Sequence, residues 1–418
     1  MKFKSIKGTK DILPGEAEVW QRVEESIRHV MSLFNYREIR TPVFEQTSLF
    51  SRSIGELTDI VSKEMYTFTD RSEESITLRP EGTASALRAY IQHNVGEQSA
   101  LTKLYYIGPM FRQERPQAGR LRQFHQFGAE ALGSSSPQLD AEMMLVALAV
   151  YRDLGIEEFA LNVNSVGCRT CRPPYKELLV NALNNVRDKL SPESQARIGQ
   201  NPLRVLDSKD DHDRELTRNV PLMKDHLCPE CADHFKEVQA LLQSSGTPFH
   251  IDGRLVRGLD YYTKTAFEIT STALGSQDAL AGGGRYDILV EELGGKPTPG
   301  VGFAAGMERL MMVLSKAGKA GMPDVRPVLF IATNGAAAQQ WAFTTANALR
   351  SKGFRVEIDY LQRSLKAQMR EANRMEARYA LVIGETELQA RSAKLKNMQT
   401  GDEEGVALDQ IDRALTTL

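Results

Sequence analysis

The chain lacks several features that mark whole classes of protein. Of its 418 residues only four are cysteine and two are tryptophan. No apolar run approaches the ~18 residues of a membrane-spanning helix, and the N-terminal Met1-Lys-Phe-Lys-Ser5 has none of the apolar stretch of a secretory signal. We therefore expect no membrane segment, no export and a cytoplasmic location.

Two common nucleotide-binding sequences are also missing. The chain has neither a Gly-x-x-x-x-Gly-Lys-Ser/Thr loop nor a Rossmann fingerprint. The spacing in Gly302-Phe-Ala-Ala-Gly306 is of low specificity and favours tight strand-to-helix packing. If a triphosphate binds, arginines and metal-binding carboxylates must neutralise it.

The charge is nearly balanced, with 52 basic and 54 acidic residues and a net charge of -2. This balance argues against indiscriminate nucleic-acid binding, although it leaves room for a local basic face. The length and a hydrophobic content of 41% fit a globular protein of two or three domains.

Residue patterns in the first three quarters of the chain predict a largely antiparallel sheet with few helices between its strands. The strands with alternating patterns are expected near 64–69, 75–79, 103–107, 123–128, 248–251, 265–269 and 281–286. Helical spacing predicts helices over 16–34, over 82–92 and from about 306.

Two changes of composition divide the chain. A polar, helix-prone stretch at about 172–247 is typical of an insertion into the sheet domain. A linker with two glycines and two prolines, 317–327, then precedes alternating strands and helices. We therefore predict an α+β protein with domains at 1–322 and 326–418, the second a small α/β domain.

The four cysteines form two Cys-x-x-Cys pairs, Cys168 with Cys171 and Cys228 with Cys231. In the cytoplasm such pairs favour a metal clip over disulfides, and four thiolates make a closed structural zinc site. The long separation weakens this interpretation, because the fold must bring the pairs together. Four buried or free thiols are the alternative.

Three segments combine arginine with carboxylates: Arg257-Gly-Leu-Asp-Tyr-Tyr262, Phe111-Arg-Gln-Glu-Arg-Pro116 and Gly306-Met-Glu-Arg-Leu310. The planar guanidinium suits a polyanion such as a triphosphate, and Gly282-Gly-Gly284 would let a nucleotide approach closely. A single arginine is more often in a surface salt bridge. Three such segments in one domain favour a ligand site.

These segments resemble the class II aminoacyl-tRNA synthetases. Residues 105–116 with 119–124 are similar to motif 2, residues 299–310 to motif 3, and residues 44–59 with Pro42 to motif 1. Within that class, Arg257–Tyr262, Leu78-Arg-Pro-Glu-Gly-Thr83 and Phe124–Glu130 resemble the histidyl-tRNA synthetase family, and the similarity runs from Lys7 into the C-terminal domain. The resemblance implies the class II antiparallel sheet flanked by helices, a helical insertion and a C-terminal anticodon-binding domain.

The resemblance also implies an ATP site, with ATP entering as substrate together with Mg²⁺. Arg112 and Arg257 would flank the α-phosphate, Arg309 would hold the outer phosphates, and Phe124 would stack on the adenine with Glu114 close by. Two negatively charged reactants repel each other, so a fixed cation where they meet stabilises the transition state. Arg257, with Arg112, is therefore the catalytic candidate.

A histidine pocket is implied as well. Glu81 and Thr83 would accept from the α-ammonium group, while Glu130 and Tyr262 would meet the two imidazole nitrogens. The remaining members of the pocket are Gly82, Gln126 and Tyr261. From pattern alone, the two adjacent tyrosines are more typical of core aromatics, and the neighbouring His125 is more typical of a packed side chain than of a general base.

The implied partners are tRNA(His), L-histidine, ATP and a second copy of the chain in a homodimer. Independently, Arg363, Lys366, Arg370, Arg374 and Arg378 recur every three or four residues and predict a basic stripe able to follow phosphates. A solvated helix face is the alternative.

The implied activity is that of a histidine–tRNA ligase, which forms histidyl-adenylate from ATP and then transfers histidine to the 3′-terminal ribose of tRNA(His). One alternative is a synthetase-like regulatory subunit that binds histidine and controls histidine biosynthesis. Such a subunit has eroded ATP motifs and no anticodon domain. In this chain the arginines and the glutamate of the ATP motifs are present, and an extra α/β domain follows them. A zinc-dependent nucleic-acid-binding module would leave the arginine segments unexplained.

Overall fold

A computed structural model describes residues 3–55, 58, 60–117, 119–208, 210–256, 261–275, 279–319, 321 and 324–417. The chain forms two compact units, Met1–Met322 and Pro323–Leu418. None of the helices within these described ranges is long and apolar enough to cross a membrane.

The first unit is built on an eight-stranded sheet. Its strands in chain order are β1 (Arg37–Glu38), β5 (Thr102–Phe111), β6 (Gln123–Leu132), β7 (Ala160–Ser165), β8 (His250–Ile251), β9 (Thr263–Thr270), β10 (Ala279–Arg285) and β11 (Gly300–Gly306). They lie in the order β1-β5-β6-β11-β10-β9-β7-β8. Every pair is antiparallel except β1 with β5 and β7 with β8, which confirms the predicted largely antiparallel sheet.

A second, three-stranded antiparallel sheet has the order β2-β4-β3. Its strands are β2 (Phe44–Gln46), β3 (Tyr66–Thr69) and β4 (Ser75–Leu78). The helices around the two sheets are α1 (Glu16–Leu33), α2 (Thr47–Ile54), a π-helical turn (Ile60–Glu64), α3 (Thr83–Gln92), α4 (Pro137–Asp153), α10 (Leu289–Glu292) and α11 (Met307–Lys316).

Helix α1 shows how the sequence pattern leads to packing. Its buried residues Val19, Val23, Ile27 and Val30 recur every three or four positions, so one side of the helix is apolar and packs into the main core. Helix α4 lacks such a stripe, because ten of its residues are buried. It lies between α1 and the sheet, at the centre of the same core.

The predicted insertion is helical. Its helices are α5 (Arg172–Asn184), α6 (Pro192–Gln200), α7 (Leu203–Leu206), α8 (Asp211–Leu216) and α9 (Pro229–Ser244). The chain leaves the sheet after β7 and returns as β8, which pairs with β7 in parallel. Helix α9 also packs on α4, where His234 Nε2 lies 3.1 Å from Asp140 Oδ1. Asp140 in turn accepts from the fully buried Arg285 at 3.0 Å, so this network fixes the end of β10.

The second unit alternates strands and helices, as its sequence predicts. The elements are β12 (Leu329–Thr333), α12 (Ala336–Ser351), β13 (Val356–Ile358), α13 (Leu365–Arg374), β14 (Tyr379–Ile383), α14 (Glu385–Ala390), β15 (Ser392–Asn397), β16 (Glu403–Ala407) and α15 (Ile411–Thr417). Its sheet has the order β13-β12-β14-β15-β16. The first three of these strands are parallel, and the last two pair antiparallel.

Candidate functional site

A cavity of about 420 Å³ lies over the middle of the large sheet. It is bounded by β6, β10, β11 and the start of α3. Nine of the residues that the sequence singles out line it: Glu81, Thr83, Arg112, Glu114, Phe124, Gln126, Tyr261, Tyr262 and Arg309. Residues far apart in the sequence, from all three arginine segments and from the segments at 78–83 and 124–130, therefore meet at one place.

Arg112 follows directly after β5 and is held on both sides. Its Nε donates to the carbonyl of Pro80 at 3.0 Å, and its guanidinium carbon lies 5.2 Å from the ring centre of Phe124. Burial lowers the pKa of Arg112, while the charges of Glu64 and Glu114 oppose that shift. A guanidinium so fixed offers its remaining N–H groups to an anion in the cavity.

Arg309 enters the cavity from the first turn of α11. Its Nη1 donates to the carbonyl of Ala279 at 2.6 Å, and burial lowers its pKa, with a further contribution from Arg120. Arg120 itself lies 3.3 Å from Glu114. Around Arg112 and Arg309 the cavity therefore contains at least three guanidinium groups, with the carboxylates of Glu64 and Glu114 among them.

Glu81 also lines the cavity, and its carboxylate caps the start of helix α3. It accepts from the amides of Thr83 and Ala84 at 2.7 and 2.8 Å. Burial raises its pKa, although these amide bonds act in the opposite direction. The capped carboxylate keeps free lone pairs on the cavity side, which suits a cationic ligand.

Glu130 is placed deeper than the sequence suggests. Its side chain is fully buried, and one carboxylate oxygen accepts from Thr83 Oγ1 at 2.7 Å and from the Tyr106 hydroxyl at 3.4 Å. The other oxygen accepts from the Tyr286 hydroxyl. Burial raises the pKa of Glu130 to about 8, against the effect of these hydroxyl donors.

Glu130 and Gly82 are absent from the described lining of the cavity. Glu130 lies directly beside that lining, however, because its strand neighbour is Gly302. A Cβ on Gly302 would come within 1.8 Å of Glu130 Oε2. Only glycine therefore leaves space for the carboxylate under the cavity floor.

The two adjacent tyrosines are packed core aromatics and also form part of the cavity wall. Tyr261 and Tyr262 are only 5% and 6% exposed, and their ring centres lie 4.7 Å apart. Tyr261 also packs edge-on against Tyr286 at 5.8 Å. Both rings belong to a hydrophobic cluster and also line the cavity, so they can contact a ligand without losing their packing.

The glycine-rich strand serves the sheet more than a ligand. Gly282 lines the cavity, but a Cβ on Gly283 would lie 2.3 Å from the carbonyl of Gly302, and one on Gly284 would lie 2.4 Å from that of Thr265. The close approach that Gly283 and Gly284 permit is between neighbouring strands, and of the three glycines Gly282 is the one that lines the cavity.

His125 points away from the cavity, as the alternation of β6 predicts. Phe124 and Gln126 face the cavity, whereas His125 Nδ1 lies 3.0 Å from Glu308 Oε1 and its ring packs edge-on against Trp20 at 5.0 Å. Its side chain is therefore engaged in packing on the opposite face.

Some site residues are outside the described ranges, and others were not predicted from the sequence. Arg257, Gly258 and Asp260 are outside the described residues, so Arg257 keeps only its sequence-based assignment. Tyr286 and Arg204 line the cavity without having been predicted. The alternation of the glycine-rich strand could have indicated Tyr286, but Arg204 comes from the helical insertion and carries no comparable signal.

The fold brings the four cysteines together. All four sulfur atoms lie within 4.8 Å of one another, and the three pairs Cys168–Cys171, Cys168–Cys228 and Cys171–Cys231 are 3.7–3.8 Å apart. Four sulfurs about 2.3 Å from a central zinc ion would be about 3.8 Å apart at the corners of a tetrahedron. The amide of Cys168 donates to Cys171 Sγ at 3.1 Å, and the amide of Thr170 donates to Cys168 Sγ at 3.3 Å. The arrangement fits a tetrathiolate metal site.

The basic stripe of the second unit is partly neutralised. Arg363 lies 2.5 Å from Asp359 and 3.2 Å from Glu371, Arg374 pairs with the same Glu371, and the predicted continuation at Arg378 pairs with Asp324. The stripe's other two members, Lys366 and Arg370, are exposed, and neither has an ion pair among the described residues.

Comparisons with known proteins match two family models to the chain. A family model described as Histidyl-tRNA synthetase matches residues 8–310, and one described as Anticodon binding domain matches residues 328–418.

Two similar relatives are each named Histidine--tRNA ligase. The chain is 51% identical over 416 residues to that of Chloroherpeton thalassium, covering 99% of this chain and 97% of the relative. It is 49% identical over 415 residues to that of Caldanaerobacter subterraneus subsp. tengcongensis, covering 99% and 100%. The crystal structure of apo S. aureus histidyl-tRNA synthetase is similar with a TM-score of 0.85 and 39% identity, covering 99% of both chains.

Proposed function

The chain belongs to the histidyl-tRNA synthetase family and acts as a histidine–tRNA ligase, and we propose that both steps of its reaction occur in the cavity over the large sheet. The observation that carries this proposal is that one cavity brings the guanidinium groups of Arg112 and Arg309 together with the buried carboxylate of Glu81. ATP binds at the guanidinium groups and histidine at Glu81, so that the carboxylate of histidine meets the α-phosphate between them.

The regulatory alternative is not supported. The relatives named as ligases match along the whole chain, and the anticodon-binding family model matches residues 328–418, which that alternative would lack.

In the ATP half, Arg112 holds the α-phosphate and Arg309 the outer phosphates. Phe124 provides an aromatic face for the adenine, and Glu114 lies beside it as a hydrogen-bond acceptor. ATP enters with Mg²⁺, an ion that prefers oxygen ligands and so binds the phosphates of the nucleotide.

In the amino-acid half, Glu81 and Thr83 accept from the α-ammonium group. Thr83 gives its hydroxyl proton to Glu130, so the lone pairs of that hydroxyl stay available to the substrate. Glu130 and Tyr262 meet the imidazole nitrogens at the cavity floor, with Gln126, Tyr261 and Gly82 completing the walls. Rejection of other amino acids follows because a substrate without the imidazole would leave buried polar groups unpaired.

The activation step joins two negatively charged groups. The histidine carboxylate attacks the α-phosphorus, the bond to the pyrophosphate oxygen breaks, and pyrophosphate leaves. Arg112 and Arg257 stabilise the charge that builds up on the phosphate oxygens. In the second step the terminal ribose hydroxyl of tRNA(His) attacks the adenylate carbonyl and AMP leaves, a transfer that depends chiefly on position.

The four-cysteine cluster holds one structural Zn²⁺ ion, as its sulfur spacing supports. The chemistry of this ion is to stabilise the insertion, since a tetrathiolate site leaves no open position for a substrate. A reducing cytoplasm, which keeps the four cysteines as thiols, is the matching location.

A homodimer forms through the three-stranded sheet that contains the motif 1 strand. One face of this sheet is largely apolar, because the register places Phe44, Leu78 and Tyr66 side by side and Phe68 beside Ile76, with Gln46 as the polar member of the face. Phe44 and Phe68 are 51% and 48% exposed in the single chain. An apolar face of this kind is typical of a surface that another protein covers.

The second unit binds the anticodon end of tRNA(His). Of the predicted basic stripe, Lys366 and Arg370 have the exposure and free charge needed to contact phosphates. Arg363 and Arg374, which Glu371 neutralises, support the helix instead.

Aminoacylation of a tRNA(His) transcript with histidine tests the proposal. The wild type should charge the transcript, and Arg112→Ala should lower kcat by at least about 100-fold, since such a cation contributes several kcal/mol to the transition state. Lys352→Ala, in the second unit, is a control for a lost cation. Charging by Arg112→Ala at the wild-type rate would contradict the assignment of the cavity.

A further inference from the structure

The four-cysteine cluster is connected to the histidine side of the cavity by a short chain of hydrogen bonds. Its first turn ends at Cys171, which immediately precedes helix α5. The next residue, Arg172, donates from Nε to the carbonyl of Val166 at 2.9 Å and from Nη2 to the carbonyl of Tyr262. A side chain rooted in the cluster therefore holds the backbone of a cavity tyrosine.

The second Cys-x-x-Cys turn, Cys228–Cys231, contacts the chain just after Tyr262. Glu230 lies between Cys228 and Cys231, and its Oε1 accepts from Lys264 Nζ at 2.8 Å. Lys264 is only 9% exposed. The residue that follows the first Cys-x-x-Cys turn and a residue within the second thus each hold the segment of residues 262–264 with one charged side chain.

That segment is conformationally demanding. Lys264 has a φ of +50°, a left-handed conformation that side chains other than glycine rarely adopt. Its amide donates to the carbonyl of Gly167 at 2.9 Å, and its carbonyl accepts from the amide of Val166 at 2.7 Å. A strained conformation persists only where the surrounding structure fixes it, and here much of that surrounding structure is the first cysteine turn and the strand that leads into it.

The same segment carries the aromatic wall of the site. Tyr262 and Tyr261 pack together and line the cavity, and Tyr261 contacts Tyr286, whose hydroxyl donates to Glu130. A shift of the segment would therefore move the groups that meet the imidazole, while Arg112 and Arg309, which are held by other elements, would stay in place.

We propose that zinc in the four-cysteine cluster positions Tyr261 and Tyr262 through Arg172 and Glu230, so that metal occupancy sets the affinity for histidine but not for ATP. This inference rests on the proposed zinc site. A bound ion fixes both turns relative to each other, and with them the two charged side chains that hold residues 262–264. Loss of the ion frees the turns and loosens the aromatic wall.

The experiment compares Arg172→Met with Arg169→Met in the full chain. Arg169 is the matched control, because it lies in the same turn but its side chain is 65% exposed and pairs at the surface with Glu292. Zinc content is measured for each variant, together with KM for histidine and for ATP in pyrophosphate exchange. Hydrogen exchange of the peptide covering residues 261–266 reports the position of the segment directly.

We expect one zinc per chain in the wild type and in both arginine variants. Arg172→Met should raise KM for histidine about tenfold, equivalent to about 1.4 kcal/mol, leave KM for ATP within about twofold, and speed exchange of the 261–266 peptide. Removal of zinc with a chelator should give the same pattern, and Arg169→Met should behave as the wild type.

A second variant, Glu230→Gln, keeps the inference testable if Arg172→Met does not fold. It should raise KM for histidine in the same direction. A zinc-loaded wild type in which neither variant changes KM for histidine or the exchange of the peptide would overturn the coupling and leave the metal site standing. A wild type that binds no zinc when supplied with the ion would overturn the metal site itself, and this inference with it.

Discussion

Replacing Glu130 with glutamine should change how stability depends on pH. Glu130 is the one glutamate among the described residues that combines complete burial with three hydroxyl donors, from Thr83, Tyr106 and Tyr286. None of these three donors to Glu130 is a cation. Burial therefore dominates and raises the pKa of Glu130 from 4.5 to about 8.

The sign and size of the effect follow from proton linkage. Between pH 4.5 and 8 the folded protein holds the Glu130 proton while the unfolded chain has released it. This contribution to stability is therefore complete below pH 4.5 and is lost as the pH rises toward 8. Between pH 5 and 8 the loss is on the order of 3 kcal/mol, at 1.36 kcal/mol for each pH unit of full difference.

The Glu130→Gln protein lacks this titration, so its stability relative to the wild type should rise by that amount from pH 5 to pH 8. Urea unfolding at several pH values measures it, with Glu158→Gln as the control because Glu158 is exposed. A lost or altered hydroxyl contact adds an offset of about 1 kcal/mol that is independent of pH. Parallel wild-type and Glu130→Gln curves across this range would refute an elevated pKa.

Other predictions test separate parts of the account. Arg309→Met should raise KM for ATP about 10- to 100-fold in pyrophosphate exchange, since a hydrogen bond to a charged group is worth about 1.5–3 kcal/mol; an unchanged value would remove Arg309 from the phosphate site. Gly302→Ala should lower stability by about 1–3 kcal/mol in urea unfolding, because its Cβ meets Glu130; wild-type stability would mean that the carboxylate moves freely. Phe68→Glu should shift the dimer toward monomer in sedimentation, whereas a wild-type monomer would contradict the interface. Lys366→Ala should weaken tRNA binding and reduce its salt dependence by about one unit of slope; an unchanged slope would exclude a phosphate contact.

The sequence predicted many of the residues that line the cavity, but not how deeply Glu130 is buried beside it. Regular alternation in β6 placed Phe124 and Gln126 on one face and His125 on the other, and the structure has the same arrangement. The position of Glu130 could not be predicted in this way, because its burial depends on Gly302 in the neighbouring strand. Pairing between strands distant in sequence is a tertiary property that no local pattern encodes.

Helix α4 and the cysteine cluster also depend on tertiary packing that no local sequence pattern shows. Amphipathic α1 was predicted with its bounds nearly as observed, whereas α4 was not predicted, because it is buried on most sides and has no polar stripe. The spacing within each Cys-x-x-Cys pair was visible in the sequence. Their meeting required the insertion helices to fold back on one another.

The assignment of histidine as the activated amino acid is tested by the amino-acid dependence of pyrophosphate exchange into ATP. With the wild-type protein and each of the twenty amino acids in turn, we expect exchange with histidine alone, since only its side chain presents an imidazole to Glu130 and Tyr262. Exchange driven equally well by another amino acid, or none with histidine, would contradict it.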